Sequence, residues 1–364
     1  MMLNFDKNQP LNSLLDIASN IQIEPKFCIR HPNYQPFTLP TTVAERFQNT
    51  SLDLQHKYLS LLLRDFLHGI YYNGSLQATL AVYSSDAANN LSSNNLEPDS
   101  LLEIDWQFYE QLDASNHGTG YFDPGWHVLR HEPDGSVAVT KGGLSLYVDP
   151  DSHLKPMTKS AKVGGFVAIW MPKNQLQNSF YIAVSNVGQQ QLSSSNAESS
   201  MGCIYFNLTP SGAIALMDKL TLQLNAAAIP FKFQVPYNQS LYGRYDSGML
   251  CFALNDYAVV RQVLQDIYAE NQSYFQREVP LFTKFLAPGL SFAEEPRQKF
   301  AFTESFGMNR CHIVANALLE AWQKDKNSPE ERINTIYHHF AQLGIDLLYP
   351  YLNPSSEDIY YPLN

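Results

Sequence analysis

Charge is scarce in this chain, and positive charge is the scarcer kind. Only 16% of its 364 residues are charged, with 24 lysine and arginine residues against 35 aspartate and glutamate residues. The net charge of -11 argues against non-specific binding to nucleic acid or to an anionic membrane, because the overall field would repel both. With 45% hydrophobic and 13% aromatic residues, the composition is that of a folded protein. A lysine or arginine in a loop is therefore conspicuous.

Cysteine and long apolar runs are also scarce. Cys28, Cys203, Cys251 and Cys311 lie far apart, and no pair has the spacing of a zinc site or a redox Cys-x-x-Cys motif. We expect buried, reduced thiols and hence a reducing compartment. No apolar run is long enough to span a bilayer, and the N-terminus lacks the basic and apolar regions of a secretory signal. The expectation is a cytoplasmic protein without metal or cofactor, although secretion without a signal peptide stays open.

Common catalytic motifs are missing. The sequence has no Walker loop, dinucleotide fingerprint, zinc-protease helix, nucleophile elbow or kinase signature. His117-Gly118-Thr119-Gly120 is more typical of a tight turn before a hairpin than of a phosphate loop, because no helical pattern follows it. Any chemistry therefore depends on a few lysine and arginine side chains.

Apolar spacing predicts helices near both ends and strands in the middle. The N-terminal pattern indicates helices over 52–72 and 100–112, with a polar loop over 84–100 between them. An Asp134-Gly135 turn between two β-prone runs predicts a hairpin. Further strands are predicted over 144–148, 163–171, 180–185, 202–208, 231–235 and 249–254.

Capping signals predict the later helices. Thr209-Pro210 supplies an N-cap and a first-turn proline, and Ser328 begins a capping box with Glu331. The segment 280–299, which contains proline and glycine, is predicted to be irregular. The helices of this part are expected over 209–228, 255–274, 305–324 and 328–343.

This order of elements predicts an α+β fold rather than a doubly wound sheet. We expect a helical N-terminal lobe, a central and mainly antiparallel sheet with packed helices, and a helical C-terminal segment. The corresponding division is a mainly helical region over 1–115 and an α+β domain over 116–364, or one continuous domain.

Three cationic residues stand in unusual surroundings. Lys141 and Lys284 lie among glycine, proline and apolar residues, so each either covers apolar surface with its stem or occupies a pocket that perturbs its pKa. Arg310 is predicted near the start of a helix, where the helix dipole disfavours a cation. An anion bound there would relieve this conflict.

Several ordered motifs together resemble the HopA-type effector family, and the resemblance covers nearly the whole chain from about residue 52. The motifs that carry it are 120–146, 180–184, 205–210, Tyr242-x-Arg244-x-Asp246, 280–289, 304–311, 344–346 and 350–354.

The resemblance implies one of two unlike roles. In peptide natural-product pathways, HopA-like proteins are similar to phosphoserine and phosphothreonine lyases, which eliminate phosphate to give dehydroamino acids. There they work on a phosphorylated precursor peptide beside a separate kinase-like protein. In the pathogen effector, the family name denotes a protein that engages host factors, and no lyase chemistry is required for that role.

The lyase role assigns chemistry to the cationic residues. Elimination needs a base for the Cα proton, cations to hold the phosphate and a donor to the departing oxygen. Under the resemblance, Lys141 or Lys284 is the candidate base. Arg244 and Arg310 are the candidate phosphate ligands, because a guanidinium binds phosphate through two hydrogen bonds.

Other residues are assigned by the same resemblance. Tyr205, His127 and His312 are candidates for protonating the leaving group or orienting the peptide. Lys173 is a further candidate for phosphate binding, although its neighbours also suggest an exposed turn. Cys203 stands where the family pattern commonly has a basic residue, which predicts weakened or altered lyase activity.

Two other classes of function stay open on the sequence. A non-catalytic peptide-binding or effector-like protein is favoured by the acidic composition, the tyrosine-rich tail and Cys203. An enzyme acting on a small anionic substrate would use the same cations, because they would bind any phosphate or carboxylate.

Overall fold

The computed structural model describes residues 9–24, 27–82, 104–177, 179–188 and 200–363. Within these residues the α+β prediction is confirmed. The helices are α1 Gln9–Asn20, α2 Thr41–Gln48, α3 Leu52–Leu67, α4 Gln77–Leu80, α5 Trp106–Ser115, α6 Pro150–His153, α7 Pro210–Ala226, α8 Tyr257–Asn271, α9 Phe306–Gln323 and α10 Pro329–Gln342.

The strands form antiparallel sheets. They are β1 Gln22–Glu24, β2 Cys28–His31, β3 Tyr34–Thr38, β4 Tyr121–His131, β5 Val137–Lys141, β6 Leu144–Val148, β7 Phe166–Met171, β8 Asn174–Gln177, β9 Phe180–Val184, β10 Met201–Phe206, β11 Phe231–Pro236, β12 Gly248–Ala253, β13 Lys284–Ala287 and β14 Leu290–Glu294. A seven-stranded main sheet has the order β13-β14-β10-β12-β11-β9-β8. A small sheet has the order β6-β5-β4-β7, and β1-β2-β3 forms another.

The capping signals in the sequence are used as predicted. The Thr209 side chain accepts from the Gly212 backbone N–H, with Pro210 in the first turn of α7. Ser328 and Glu331 form the predicted reciprocal capping box at the start of α10. Each side chain satisfies a backbone N–H that has no partner inside its helix, which fixes where the helix begins.

The two faces of the main sheet are buried to different extents. Alternate residues of β11 and β12, including Phe233 and Leu250, are completely buried, and Phe252 stacks on Tyr257 of α8. Side chains between them on the same strands are only half-buried. Because successive strand residues point to opposite faces, the second face of the sheet is partly open along β11 and β12.

Helices α3 and α9 cover the other end of this second face. The Ser60 hydroxyl of α3 donates to the Asn316 side chain of α9. Tyr205 of β10 contacts Tyr72, which follows α3, with ring centroids 6.4 Å apart. It also contacts Phe306 of α9 at 6.3 Å. The N-terminal and C-terminal helices thus meet over β10.

The prediction of an irregular 280–299 segment is wrong. Residues Lys284–Ala287 and Leu290–Glu294 pair as a hairpin at the edge of the main sheet. Pro288 and Gly289 form its tight turn, and Gly289 has φ +70°, a conformation that favours glycine. The proline and glycine that suggested an irregular segment form the turn of this hairpin. Buried side chains such as Phe292 pack the strands into the core. The sequence prediction also missed α1, α2 and the β1–β3 sheet.

The expectation of four reduced cysteines is corrected for two of them. Cys203 and Cys251 are register partners on the adjacent strands β10 and β12 and form a disulfide, with Cα atoms 4.2 Å apart. They are 48 residues apart in sequence, so only strand pairing reveals their proximity. Cys28 and Cys311 are free and buried, as predicted. The disulfide removes the basis for inferring a reducing compartment.

The predicted polar loop over 84–100 lies outside the described residues. Among the helices that the structure describes, none is long and apolar enough to cross a membrane.

Candidate functional site

A widened π turn, His68–Tyr72, continues α3 and carries two aromatic side chains toward the main sheet. His68 stacks on Tyr72 with ring centroids 4.9 Å apart. Tyr72 and Tyr205 are both buried, and their hydroxyl groups interact. Burial raises the pKa of both phenols well above the ordinary value, so both hydroxyls keep their protons at neutral pH.

Arg244 lies beside this pair, held by Asp246. The Arg244 Nε donates to Asp246 Oδ1 at 2.5 Å, and its Nη2 donates to Oδ2 at 3.0 Å. The guanidinium also lies over the Phe180 ring, 5.9 Å from the centroid. Burial disfavours both charges, but the ion pair outweighs it, so the pKa of Arg244 is raised and that of Asp246 is lowered. Nη1 makes no hydrogen bond with the described residues, and the Arg244 side chain is 25% exposed.

His68 responds to the charges around it. The pKa of His68 is lowered to about 4, chiefly by burial. The charge of Asp246 opposes this shift, and the charges of Arg244 and Arg64 add to it. Arg64 is four residues before His68 on α3, so both project from one face of the helix. We call Arg64, His68, Arg244 and Asp246 the cationic cluster. At neutral pH the His68 ring is uncharged, and a bound anion would favour its protonation.

His312 on α9 forms a dyad with a buried carboxylate. Its Nδ1 lies 2.8 Å from Glu304 Oε1, and Nε2 has no hydrogen bond with the described residues. The second Glu304 oxygen accepts from the Phe300 N–H at 2.9 Å and from Asn309 Nδ2 at 3.1 Å. Burial raises the pKa of Glu304, but these hydrogen bonds outweigh it and the pKa is lowered. The carboxylate is therefore ionised and fixes the orientation of the imidazole.

Cys311 connects this dyad to the cationic cluster. Burial raises the pKa of its thiol, Arg64 lowers it, and Asp65 and Glu304 raise it. Arg64 and Glu304 therefore both lie near this one side chain. The dyad and the cluster share the region where α3 packs against α9.

Arg310, predicted as a phosphate ligand, lies next to this region but is 1% exposed. Its Nε donates to Pro350 O at 2.8 Å, its Nη2 to Leu352 O at 3.2 Å and its Nη1 to Asn309 Oδ1 at 2.6 Å. Burial lowers its pKa to about 10. Backbone carbonyls of the C-terminal segment thus provide the negative partial charge that the sequence suggested an anion would provide.

Lys141 and His127 lie together on the small sheet. Lys141 Nζ donates to both Asp123 oxygens, at 2.8 and 2.7 Å, and to Pro124 O at 2.8 Å. His127 is exposed and packs its ring on Phe166 at 3.9 Å. The three ammonium protons of Lys141 are therefore directed to neighbours within its own sheet.

Lys284 and Lys173 bind segments of the chain outside the cationic cluster. Lys284 Nζ donates to Asp358 Oδ2 at 2.7 Å and to the Tyr351 hydroxyl at 3.1 Å. Lys173 Nζ donates to the Asp113 carbonyl at 2.7 Å and the Asn116 carbonyl at 3.2 Å. Of the eight sequence candidates, the structure brings Tyr205, Arg244, Arg310 and His312 to the α3–α9 side, and the other four lie elsewhere.

Sequence reasoning missed Arg64, His68 and Tyr72. One signal was present, because a glycine follows His68 near the end of a strongly periodic helix. A Cβ on Gly69 would lie 2.4 Å from the Leu76 side chain, and π turns frequently occur at functional sites. The proximity of Arg244 to these residues has no sequence signal, since about 170 residues separate them.

The α3–α9 region overlaps the part of the chain that matches a known protein family. The HopA1 effector protein family matches residues 171–352, which is half of the chain. This chain belongs to the HopA1 effector protein family. The matched HopA1 segment contains most of the main sheet, α9 and six of the sequence candidates, whereas Lys141 and His127 precede it.

The chain is also similar to two solved structures of effector proteins. One is the effector protein from Pseudomonas syringae pv. tomato strain DC3000, at 15% identity and TM-score 0.39, covering 69% of this chain and 81% of that chain. The other is the effector protein from Pseudomonas syringae pv. syringae strain 61, at 13% identity and TM-score 0.46, covering 96% and 100%. No curated protein matches the chain.

Proposed function

We propose that this HopA1-family protein is a lyase that eliminates phosphate from phosphoserine or phosphothreonine in a precursor peptide. The observation that supports it is the cationic cluster, in which the Arg244 guanidinium and the uncharged His68 imidazole lie beside two protonated phenols. Arg64, which pairs with Asp65, lies near His68. A separate kinase-like protein would supply the phosphorylated peptide.

Phosphate binding is assigned to Arg244, with Arg64 and His68 beside it. The Asp246 carboxylate accepts from Nε and Nη2 of Arg244 and so fixes the orientation of the guanidinium group. Nη1 can then donate to a phosphate oxygen. Protonation of His68 on phosphate binding would add a further positive charge. Arg310, which is committed to backbone carbonyls, would stabilise this region rather than contact the phosphate.

The elimination needs a base and a proton donor. The base removes the Cα proton, the electrons of the C–H bond form the Cα=Cβ double bond, and the Cβ–O bond breaks to release phosphate. His312, oriented by Glu304, is the base candidate with the most complete supporting geometry. Lys141 and Lys284 remain candidates if the peptide displaces their carboxylate partners. Tyr205 or Tyr72 can donate to the departing oxygen.

The test is loss of phosphoric acid from a phosphoserine or phosphothreonine peptide, followed by mass spectrometry. Arg244→Gln is expected to slow elimination by about 100-fold or more, as for loss of one charged transition-state contact. The matched control is Arg130→Gln, since Arg130 is exposed on the small sheet and pairs with Glu132. The control should keep full activity.

Three further variants separate the base candidates. His312→Gln, Lys141→Ala and Lys284→Ala are compared under the same conditions, and the base variant should lose the most activity. No elimination by the wild type, with the leader peptide and kinase present, would rule out the proposal.

A second candidate, a non-catalytic binding protein, is favoured by one observation. Lys141, Lys284 and Arg310 all make internal contacts, as structural residues would. A stable partner recovered by pull-down, with binding unaffected by Arg244→Gln, would support this role over catalysis.

A further inference from the structure

We infer that the half-buried face of the main sheet binds an extended peptide, and that Lys232 pairs with a carboxylate of that peptide. The inference rests on the proposed function for one element, the placement of the phosphorylated residue at Arg244.

Lys232 is a cation in the middle of the sheet. It lies on β11, between β9 and β12, and its register partners are Val184 and Cys251. Cys203 continues the same row on β10. None of these neighbours is acidic, and Lys232 makes no hydrogen bond or ion pair with any residue that the structure describes.

An ammonium without a carboxylate partner among the described residues is unusual at such a position, because the chain is rich in acidic residues. The other half-buried lysines that the structure describes each have a carboxylate within 4 Å, as Lys284 has Asp358 at 2.7 Å and Lys219 has Glu270 at 2.7 Å. Burial lowers the pKa of Lys232, and no neighbouring carboxylate opposes this effect. A carboxylate of a bound ligand would form an ion pair with the Lys232 ammonium and offset the free-energy cost of burying its charge.

The accessible part of this face is a strip along β11 and β12, because Val184 on β9 and Cys203 on β10 are buried. Gln234, Met249 and Cys251 lie on the same face and are half-buried like Lys232. The opposite face of the same strands is completely buried. A peptide on this strip would contact the Lys232 ammonium, the Gln234 amide and the Met249 thioether.

Strand register gives the distance between the two cationic positions. Phe180, Ile182 and Val184 of β9 project to this side of the sheet, because alternate strand residues share a side. Ile182 and Val184 are buried against Tyr121 of the small sheet, so β9 supplies only the measure of distance and the peptide would follow β11 and β12. Lys232 is opposite Val184, and the Arg244 guanidinium lies over Phe180. Four residues of strand correspond to about 13 Å.

An extended peptide covers the same length in four residues. A phosphorylated residue at Arg244 therefore places the fourth residue of the peptide near Lys232. The geometry predicts a preference for Asp or Glu at that position, on whichever side of the phosphorylated residue the chain direction allows.

The test uses fluorescein-labelled phosphoserine peptides with Glu, Gln or Lys four residues before or after the phosphoserine. Binding to the full-length protein is measured by fluorescence anisotropy, and elimination is followed separately by mass spectrometry. One Glu peptide should bind about tenfold more tightly than its Gln counterpart, as expected for one charge-assisted hydrogen bond.

Variants of Lys232 assign the preference. Lys232→Gln should remove the difference between Glu and Gln peptides, and Lys232→Glu should prefer the Lys peptide. Lys219→Gln is the matched control, because Lys219 is on α7 and pairs with Glu270. It should leave the preference unchanged. The wild-type comparison among peptides needs no variant, so misfolding of one variant leaves the test intact.

The outcomes separate this inference from the lyase proposal. A Lys232-dependent Glu preference without elimination would refute the lyase and support this peptide site. Elimination with equal binding of Glu and Gln peptides at both positions would overturn the peptide site alone. Absence of peptide binding would also overturn it.

Discussion

Reduction of the Cys203–Cys251 disulfide is expected to destabilise the protein strongly. The bond joins β10 and β12 at the centre of the main sheet and closes a loop of 48 residues. Cross-linking a loop of this length lowers the entropy of the unfolded chain by an amount worth about 4 kcal/mol at 25 °C. The folded strands should stay paired after reduction, because backbone hydrogen bonds and buried neighbours hold them. Most of the effect therefore comes from the unfolded state.

The assay is urea denaturation of the oxidised and the reduced protein. With a denaturant slope of about 3 kcal/mol per molar urea, the loss corresponds to a midpoint lower by roughly 1.3 M. A double variant, Cys203→Ala with Cys251→Ala, is the control, since reductant has no disulfide to break in it. Its midpoint should not change when reductant is added.

A thiol titration in denaturant tests the premise directly. Without reductant, only Cys28 and Cys311 should react, because the structure leaves these two cysteines free. After reduction all four cysteines of the chain should react. Four reactive thiols in the untreated protein would show that the disulfide is absent, and equal urea midpoints for both forms would show that it does not stabilise the fold.

Three other predictions concern the α3–α9 region. Because the pKa of Glu304 is lowered in the fold, its contribution to stability is present above its unfolded pKa and is lost as pH falls through the folded value. Glu304→Gln should therefore flatten the acid side of a stability-versus-pH curve measured by urea unfolding. Arg310→Met should cost about 3 kcal/mol in urea unfolding, since it leaves buried carbonyls without donors, and an unchanged midpoint would contradict its assigned role. Gly307→Ala should cost about 1–3 kcal/mol in thermal unfolding, because the new Cβ would lie 2.3 Å from the Tyr72 ring. An unchanged melting temperature would mean that the ring moves freely.

Local signals in the sequence were sufficient for elements whose ends are fixed by short-range chemistry. Ser328 and Glu331 act within one helical turn, so α10 could be predicted from them alone. The hairpin around Asp134-Gly135 was predicted for the same reason. The β13–β14 hairpin was missed because its proline and glycine indicate a turn but do not show that the flanking runs pair with each other and with β10.

The candidate site was predictable only in part. Arg244, Tyr205 and His312 were named through the family resemblance, but their neighbours His68 and Arg64 come from a helix near the other end of the chain. No short-range rule joins residues so distant in sequence, because their proximity depends on how α3 packs on the sheet.

Periodicity, capping residues and ordered motifs in the sequence were sufficient to predict the fold class, the family and the bounds of helices α7 to α10. The tertiary structure alone decided which cations have partners. It paired Lys141, Lys284 and Arg310 with internal acceptors and joined Cys203 to Cys251 by strand register. Among the residues that the structure describes, it gave Lys232 no counterion. The physical reason is that ion pairs and disulfides act over a few ångströms in space, whatever the separation in sequence.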